Sequence, residues 1–146
     1  MSEVLKTKPP VWFWIVVSLL MIWNVMGIVS WSSDAFFPEE MLDQYSPEQQ
    51  ALFAERPGWI MPVYAVAVFG AFFGTIMMLR QSRLAMPLFV ISLIAVLIQF
   101  GYVLFIMDAI GKLGFAMAAS FPIVIVVIGV VEIAFAQFAK GKGWLV

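Results

Sequence analysis

One acid within an otherwise apolar stretch is the residue best placed to do chemistry in this sequence. Glu132 directly follows the apolar run from Ile123 to Val131. A carboxylate in hydrocarbon costs several kcal/mol unless it is paired, protonated or facing a wet cavity, so such an acid marks a functional site. We predict that Glu132 exchanges a proton or a cation during a transport cycle. The alternative is a structural role, in which Glu132 donates a hydrogen bond to a neighbouring helix or extends toward Lys140.

Four uncharged polar residues in other apolar stretches are further candidates: Ser18 and Asn24 in the first, and Ser92 and Gln99 in the third. A helical rise of about 1.5 Å per residue places Ser18 and Ser92 near the depth of Glu132. The same spacing places Asn24 and Gln99 in a second polar layer, toward the opposite side. These side chains either line a solute path or hydrogen-bond neighbouring helices.

The composition excludes several classes of chemistry. The chain has no Cys and no His, which removes disulfides, thiol chemistry, His-based triads and metal ligation by these residues. A net charge of −1 gives no basic face for nucleic acid. General acid–base catalysis usually needs two positioned groups, and only one carboxylate lies in the apolar stretches. We therefore predict that the chain is not an enzyme and that it binds no metal or cofactor.

The apolar stretches predict an all-α membrane protein. Apolar residues make up 64% of the 146 residues and charged residues 12%, whereas soluble domains average about a quarter charged. A transmembrane helix needs about 20 apolar residues. Four stretches qualify: 11–31, 59–79, 84–107 and 115–139. We predict that residues 1–146 form a single transmembrane domain, a bundle of four helices in the lipid bilayer.

The basic residues predict the orientation of this bundle. Six of the eight Lys and Arg residues flank the same side of the predicted spans: Lys6, Lys8, Arg80, Arg83, Lys140 and Lys142. Cytoplasmic loops carry an excess of Lys and Arg. Both termini are therefore expected in the cytoplasm, with the 32–58 loop outside.

The 32–58 loop carries helix signals of its own. Pro38 suits the first position of a helix, and Ser46-Pro47-Glu48-Gln49 supplies an N-cap, a proline at the first position and a capping glutamine. Two short amphipathic helices are expected there, folded onto the bundle or exposed as an acidic docking surface. Farther on, Asp108 and Lys112 have the spacing of a local ion pair.

The second span has a stripe of small residues that lets another helix approach closely: Ala67, Gly70, Ala71 and Gly74. The sequence does not say whether that helix belongs to the same chain. Four short helices enclose little volume, so a cavity is expected between the protomers of a homo-oligomer. Pro122 lies either in the first turn of span four, if that span begins near Ser120, or at a kink, if it begins near Phe115.

Three segments resemble those of a known group of proteins. They are Lys8-Pro9-Pro10-Val11-Trp12-Phe13-Trp14, Trp23-Asn24-Val25-Met26-Gly27 and Lys142-Gly143-Trp144-Leu145. Nearly the whole chain is similar to short four-span bacterial inner-membrane proteins described as sugar transporters. The resemblance implies a multi-pass protein of the bacterial inner membrane that carries a small solute. It assigns no ligand residue, and the chain lacks the Pro-Gln pair of SWEET-like three-helix units.

Two functions follow from these observations. In the first, a homo-oligomer transports a small neutral or cationic solute, with Glu132 coupling transport to protons and Asn24 and Gln99 lining the path. In the second, the chain is an accessory subunit of a larger membrane complex. It then packs against unlike subunits through the small residues of span two and the acidic loop.

Overall fold

Four long helices account for most of the computed structural model, which describes residues 7–146. They are α1 (Val11–Phe36), α4 (Ile60–Leu79), α5 (Ala85–Gly101), which a π-helical turn extends over Tyr102–Ile106, and α7 (Phe115–Gly141). Each is long and apolar enough to cross a membrane, and no β-strand occurs among residues 7–146. The prediction of an all-helical protein with four candidate spans is confirmed. The four helices fit a polytopic membrane protein.

The first span continues beyond its predicted end at residue 31. Helix α1 runs to Phe36 because residues 32–35 contain no Gly or Pro to interrupt it. The Ser33 hydroxyl donates to the Val29 carbonyl oxygen at 3.0 Å, inside the helix. Pro38 disfavours helical geometry in the residue before it, and Phe37 accordingly has φ −131° and ψ 52°. The middle of α1 therefore lies near Asn24.

Two of the three short helices are α2 (Pro38–Leu42) and α3 (Pro47–Glu55), which connect α1 to α4. Helix α3 begins with a capping box. The Gln49 N–H donates to Ser46 Oγ at 3.3 Å, and the Ser46 N–H donates to Gln49 Oε1 at 2.9 Å. This box satisfies two backbone donors that a helix start otherwise leaves free.

The third short helix, α6 (Ala109–Leu113), joins the π-helical turn to α7. Asp108 precedes it in the left-handed conformation, with φ 56°, and its carboxylate accepts the Gly111 N–H at 3.2 Å. Lys112 pairs with Glu55 of α3 instead, at 3.2 Å. The predicted ion pair between Asp108 and Lys112 is therefore wrong, because the Asp108 carboxylate caps α6.

The small residues of α4 bring its neighbours into close contact. Helix α4 packs against α1 and α5, and α5 packs against α7. A Cβ atom on Gly70 would lie 3.3 Å from Ser92 Cβ, and one on Gly74 would lie 2.7 Å from the Phe89 ring. The carbonyl oxygens of Ala67 and Ala71 accept hydrogen bonds from α5 and α1. This face is thus occupied within the chain, which answers the question that the sequence left open.

One end of the bundle is tightly packed and gathers both described ends of the chain. The Thr7 N–H donates to the Gly143 carbonyl at 2.8 Å, and the Val146 N–H donates to the Gln81 carbonyl at 2.9 Å. The turn between α4 and α5 therefore lies beside both described ends. Five of the six basic residues used to predict orientation flank this end, and Lys6 lies outside the described residues. Fully buried side chains fill it, among them Phe13, Val17, Met78, Phe89 and Leu145.

We expect Gly74→Ala to destabilise the protein, because the new Cβ atom would overlap the buried Phe89 ring. Overpacking of this kind costs about 1–3 kcal/mol. The matched control is Gly101→Ala, where a Cβ atom meets nothing within 4 Å and the backbone is helical, with φ −58°. The midpoint of thermal unfolding in detergent should fall for the first variant only, and equal midpoints would contradict the packing described for α4.

Candidate functional site

A cavity of about 500 Å³ lies between the long helices of a single chain. Residues of α3 and α6, including Leu52 and Leu113, also line it. The sequence predicted a cavity between protomers, and the structure shows that a single chain already lines one. The reason is that the short helices border space that the four long helices alone would leave open.

The deep end of the cavity contains a hydrogen-bonded group from three helices. Asn24 of α1 donates through Nδ2 to Thr75 Oγ1 of α4 at 2.7 Å and to Glu132 Oε2 of α7 at 3.2 Å. The Ala71 carbonyl oxygen lies 3.3 Å from the same nitrogen. Asn24, Thr75 and Glu132 are all buried, and Glu132 is only 3% exposed. We call these three side chains the Glu132 cluster.

The Glu132 cluster corrects the predicted depths. Asn24 lies beside Glu132, not in a separate layer, because α1 continues to Phe36 and Asn24 falls at its middle. Gln99 and Ser92 both line the cavity, and the Ser92 hydroxyl donates to the Ala67 carbonyl at 2.6 Å. Thr75 was not singled out from the sequence, although its place one residue after the small-residue stripe of α4 would have identified it.

Ser18 does not belong to the site. The residues of α1 that face the bundle are Phe13, Val17, Leu20 and Asn24, which follow the three-to-four-residue spacing of one helix face. Ser18 falls outside this spacing and is exposed on the outer surface of α1. Among the described residues of this chain, Ser18 therefore neither lines the cavity nor makes a hydrogen bond to a neighbouring helix.

Pro122 lies inside a helix and lines the cavity. Helix α7 begins at Phe115, so Pro122 lies in the interior of the helix and not in its first turn. Proline has no N–H to donate, which leaves the carbonyl of the residue four positions earlier without its helical partner. That residue is Ala118, which also lines the cavity.

The opposite end of the cavity holds an ion pair that sequence reasoning missed. Asp34 Oδ2 of α1 lies 3.9 Å from Arg56 Nη1, just beyond the end of α3. The Arg56 guanidinium also lies over the Phe53 ring, 3.5 Å from its centre. Tyr45 and Tyr64 line the same cavity. The available signal was that Arg56 is the only basic residue of a loop that is otherwise acidic.

Burial shifts the pKa of two side chains in the segment between α1 and α4, Arg56 and Tyr45. Burial lowers the pKa of the Arg56 guanidinium, and the neighbouring Asp34 carboxylate acts in the opposite direction. Burial raises the pKa of the Tyr45 hydroxyl, and the charge of Asp34 raises it further. Tyr45 therefore keeps its proton at neutral pH and remains a hydrogen-bond donor.

No protein-family model, curated protein or solved structure matches this chain. The described part of the chain contains no group of three or more acidic residues placed to hold a metal ion. The chemistry of the site is therefore argued from the cavity residues themselves.

We expect Thr75→Val to destabilise the protein, since it removes the hydroxyl that accepts the Asn24 amide at 2.7 Å with little change in shape. Loss of a buried hydrogen-bond partner costs about 1–3 kcal/mol. Ser18→Ala is the matched control, because Ser18 is exposed and such substitutions usually change stability by less than about 0.5 kcal/mol. Unfolding in detergent measures both variants, and equal stability of the two would contradict the arrangement of the Glu132 cluster.

Proposed function

We propose that this chain is a membrane transporter that binds a small solute in the cavity between its four candidate spans. The observation that carries the proposal is a cavity of about 500 Å³ with a buried acid at its deep end. Ligand sites are commonly concave, mostly apolar and supplied with a few convergent polar groups. The resemblance to proteins described as sugar transporters agrees with a small solute.

Glu132 is the coupling group in this proposal. None of the ion pairs among residues 7–146 includes Glu132, and its one side-chain partner is the uncharged Asn24 amide. Within a membrane, the negative charge of such a carboxylate must be balanced by a proton or by a bound cation. Exchange of that proton or cation at Glu132 accompanies the movement of the solute through the cavity, which links the two.

An enzymatic role is not proposed, because the two cavity acids are too far apart to act on one bond. Asp34 and Asn24 are ten residues apart on α1, which corresponds to about 15 Å along a helix. Asn24 in turn touches Glu132. Two carboxylates that cleave a glycosidic bond together lie less than about 10 Å apart.

Three further predictions concern the homo-oligomer, the accessory role and the location of the protein. Because one chain lines the cavity, transport does not require a homo-oligomer, which stays a separate proposal. The accessory role relied on the small residues of α4 and on the acidic loop. Helices α1 and α5 occupy the small-residue face, whereas Glu39, Glu40 and Asp43 of the loop are exposed. A location in the bacterial inner membrane follows from the resemblance and remains part of this proposal.

We expect Glu132→Gln to abolish pH-dependent transport, because the amide cannot exchange a proton yet retains the shape of the side chain. The measurement is uptake of labelled sugars and small organic cations into proteoliposomes, under pH gradients of either direction. Glu55→Gln is the control, since Glu55 is 61% exposed. If uptake by the Glu132→Gln variant depends on the pH gradient as it does in the parent protein, coupling through Glu132 is excluded.

We also propose that the basic end of the bundle faces the cytoplasm, with α2 and α3 outside. The chain has no Cys, so single cysteines report position without background. In intact cells, a membrane-impermeant thiol reagent should label Glu48→Cys, in exposed α3. Lys140→Cys, at the exposed end of α7, should react only after permeabilisation. The reverse pattern would invert the topology.

A further inference from the structure

We propose that the solute is an organic cation, an ammonium group on an apolar body, and that Asp34 binds the ammonium. This inference rests on the proposed function, because it names the chemical class of the solute. The inference goes beyond the proposed function by assigning a binding residue at the end of the cavity opposite Glu132. Three independent features of the cavity support it.

The first feature is an incompletely paired carboxylate. The Asp34 side chain is only 9% exposed and lines the cavity. Its Oδ1 atom is buried without a hydrogen-bond partner among the described residues, and Oδ2 lies 3.9 Å from Arg56 Nη1, too far for a hydrogen bond. Rotation about the Cβ–Cγ bond exchanges the two oxygens, so an ammonium N–H in the cavity can reach this carboxylate. A buried acceptor without a donor is costly, and a charged donor relieves that cost.

The second feature is the way Arg56 is held. Its guanidinium lies over the Phe53 ring, 3.5 Å from the centre, and its Nη2 atom is 3.9 Å from the Met61 sulfur. Only 17% of the Arg56 side chain is exposed. The cavity thus contains two carboxyl groups, Asp34 and Glu132, and one guanidinium packed against an aromatic ring. When Glu132 is deprotonated, the cavity carries a net negative charge, which favours a cationic solute over an anionic one.

The third feature is the aromatic lining of the cavity. Its rings belong to Trp23, Tyr45, Tyr64, Phe100 and Phe121. Aromatic faces attract ammonium groups and provide apolar contact for the rest of the ligand. A sugar would present hydroxyl groups along its whole length. Most of the lining surface is apolar, and the Ser92 hydroxyl already donates to the Ala67 carbonyl.

The test compares ligands of one shape and different charge. Phenylbutylammonium, phenylbutanol and phenylbutanoate are titrated into the purified full-length protein in detergent by calorimetry. We expect the ammonium to bind about tenfold or more tightly than the alcohol, because only the ammonium forms a charge-assisted hydrogen bond with the Asp34 carboxylate. We expect the carboxylate ligand to bind weakest. Asp34→Asn should reduce the affinity for the ammonium about tenfold and leave that for the alcohol unchanged. Asp43→Asn, at an exposed acid of the same loop, should have no effect.

Several results would overturn the inference. They are equal affinity for the ammonium and the alcohol, no detectable heat with the ammonium, or an Asp34→Asn variant of native helix content that binds like the parent. The ligand comparison on the parent protein decides the matter even if the variant fails to fold. Glucose is titrated in the same way. If it binds more tightly than the ammonium, the inference that the solute is a cation is wrong, while the proposed function as a solute carrier is retained. Conversely, ammonium binding together with gradient-dependent uptake unaffected by Glu132→Gln would retain the Asp34 site and reject the proposed coupling.

Discussion

The buried side-chain amide of Asn24 joins three of the four long helices. It connects α1 to Thr75 of α4 and to Glu132 of α7. Hydrogen bonds between membrane helices contribute only about 1 kcal/mol each, so this amide matters mainly for position. It fixes how α1 and α7 are rotated and holds the one acid predicted from the apolar stretches at the end of the cavity.

The cavity results from two kinds of packing at the two ends of the bundle. At the basic end, the small residues of α4 allow close approach, and rings such as Phe13 and Phe89 fill the remaining space. At the other end, the short helices α3 and α6 cover the gap between the long ones. Because the long helices do not fill that gap themselves, polar residues on them can face an enclosed space. Many apolar side chains of the long helices point outward, as contact with lipid requires.

Sequence reasoning was reliable for features that depend on neighbouring residues. The four candidate spans agree with the structure. It failed for Lys112, which pairs with the distant Glu55 of α3 and not with Asp108. It also failed for the depth of Asn24, because α1 continues to Phe36. The pair of Asp34 and Arg56 joins two elements that no periodic pattern relates.

The sequence by itself determined that this is a helical protein with four stretches able to cross a membrane, since hydropathy and helix length are local properties. It also identified Glu132, because an acid in an apolar stretch is conspicuous in any arrangement of the helices. Only the tertiary structure decided that one chain lines the cavity, that Ser18 faces outward and that Asp34 meets Arg56. These features depend on how each helix is rotated against its neighbours. That rotation is set by close contacts between residues far apart in the chain.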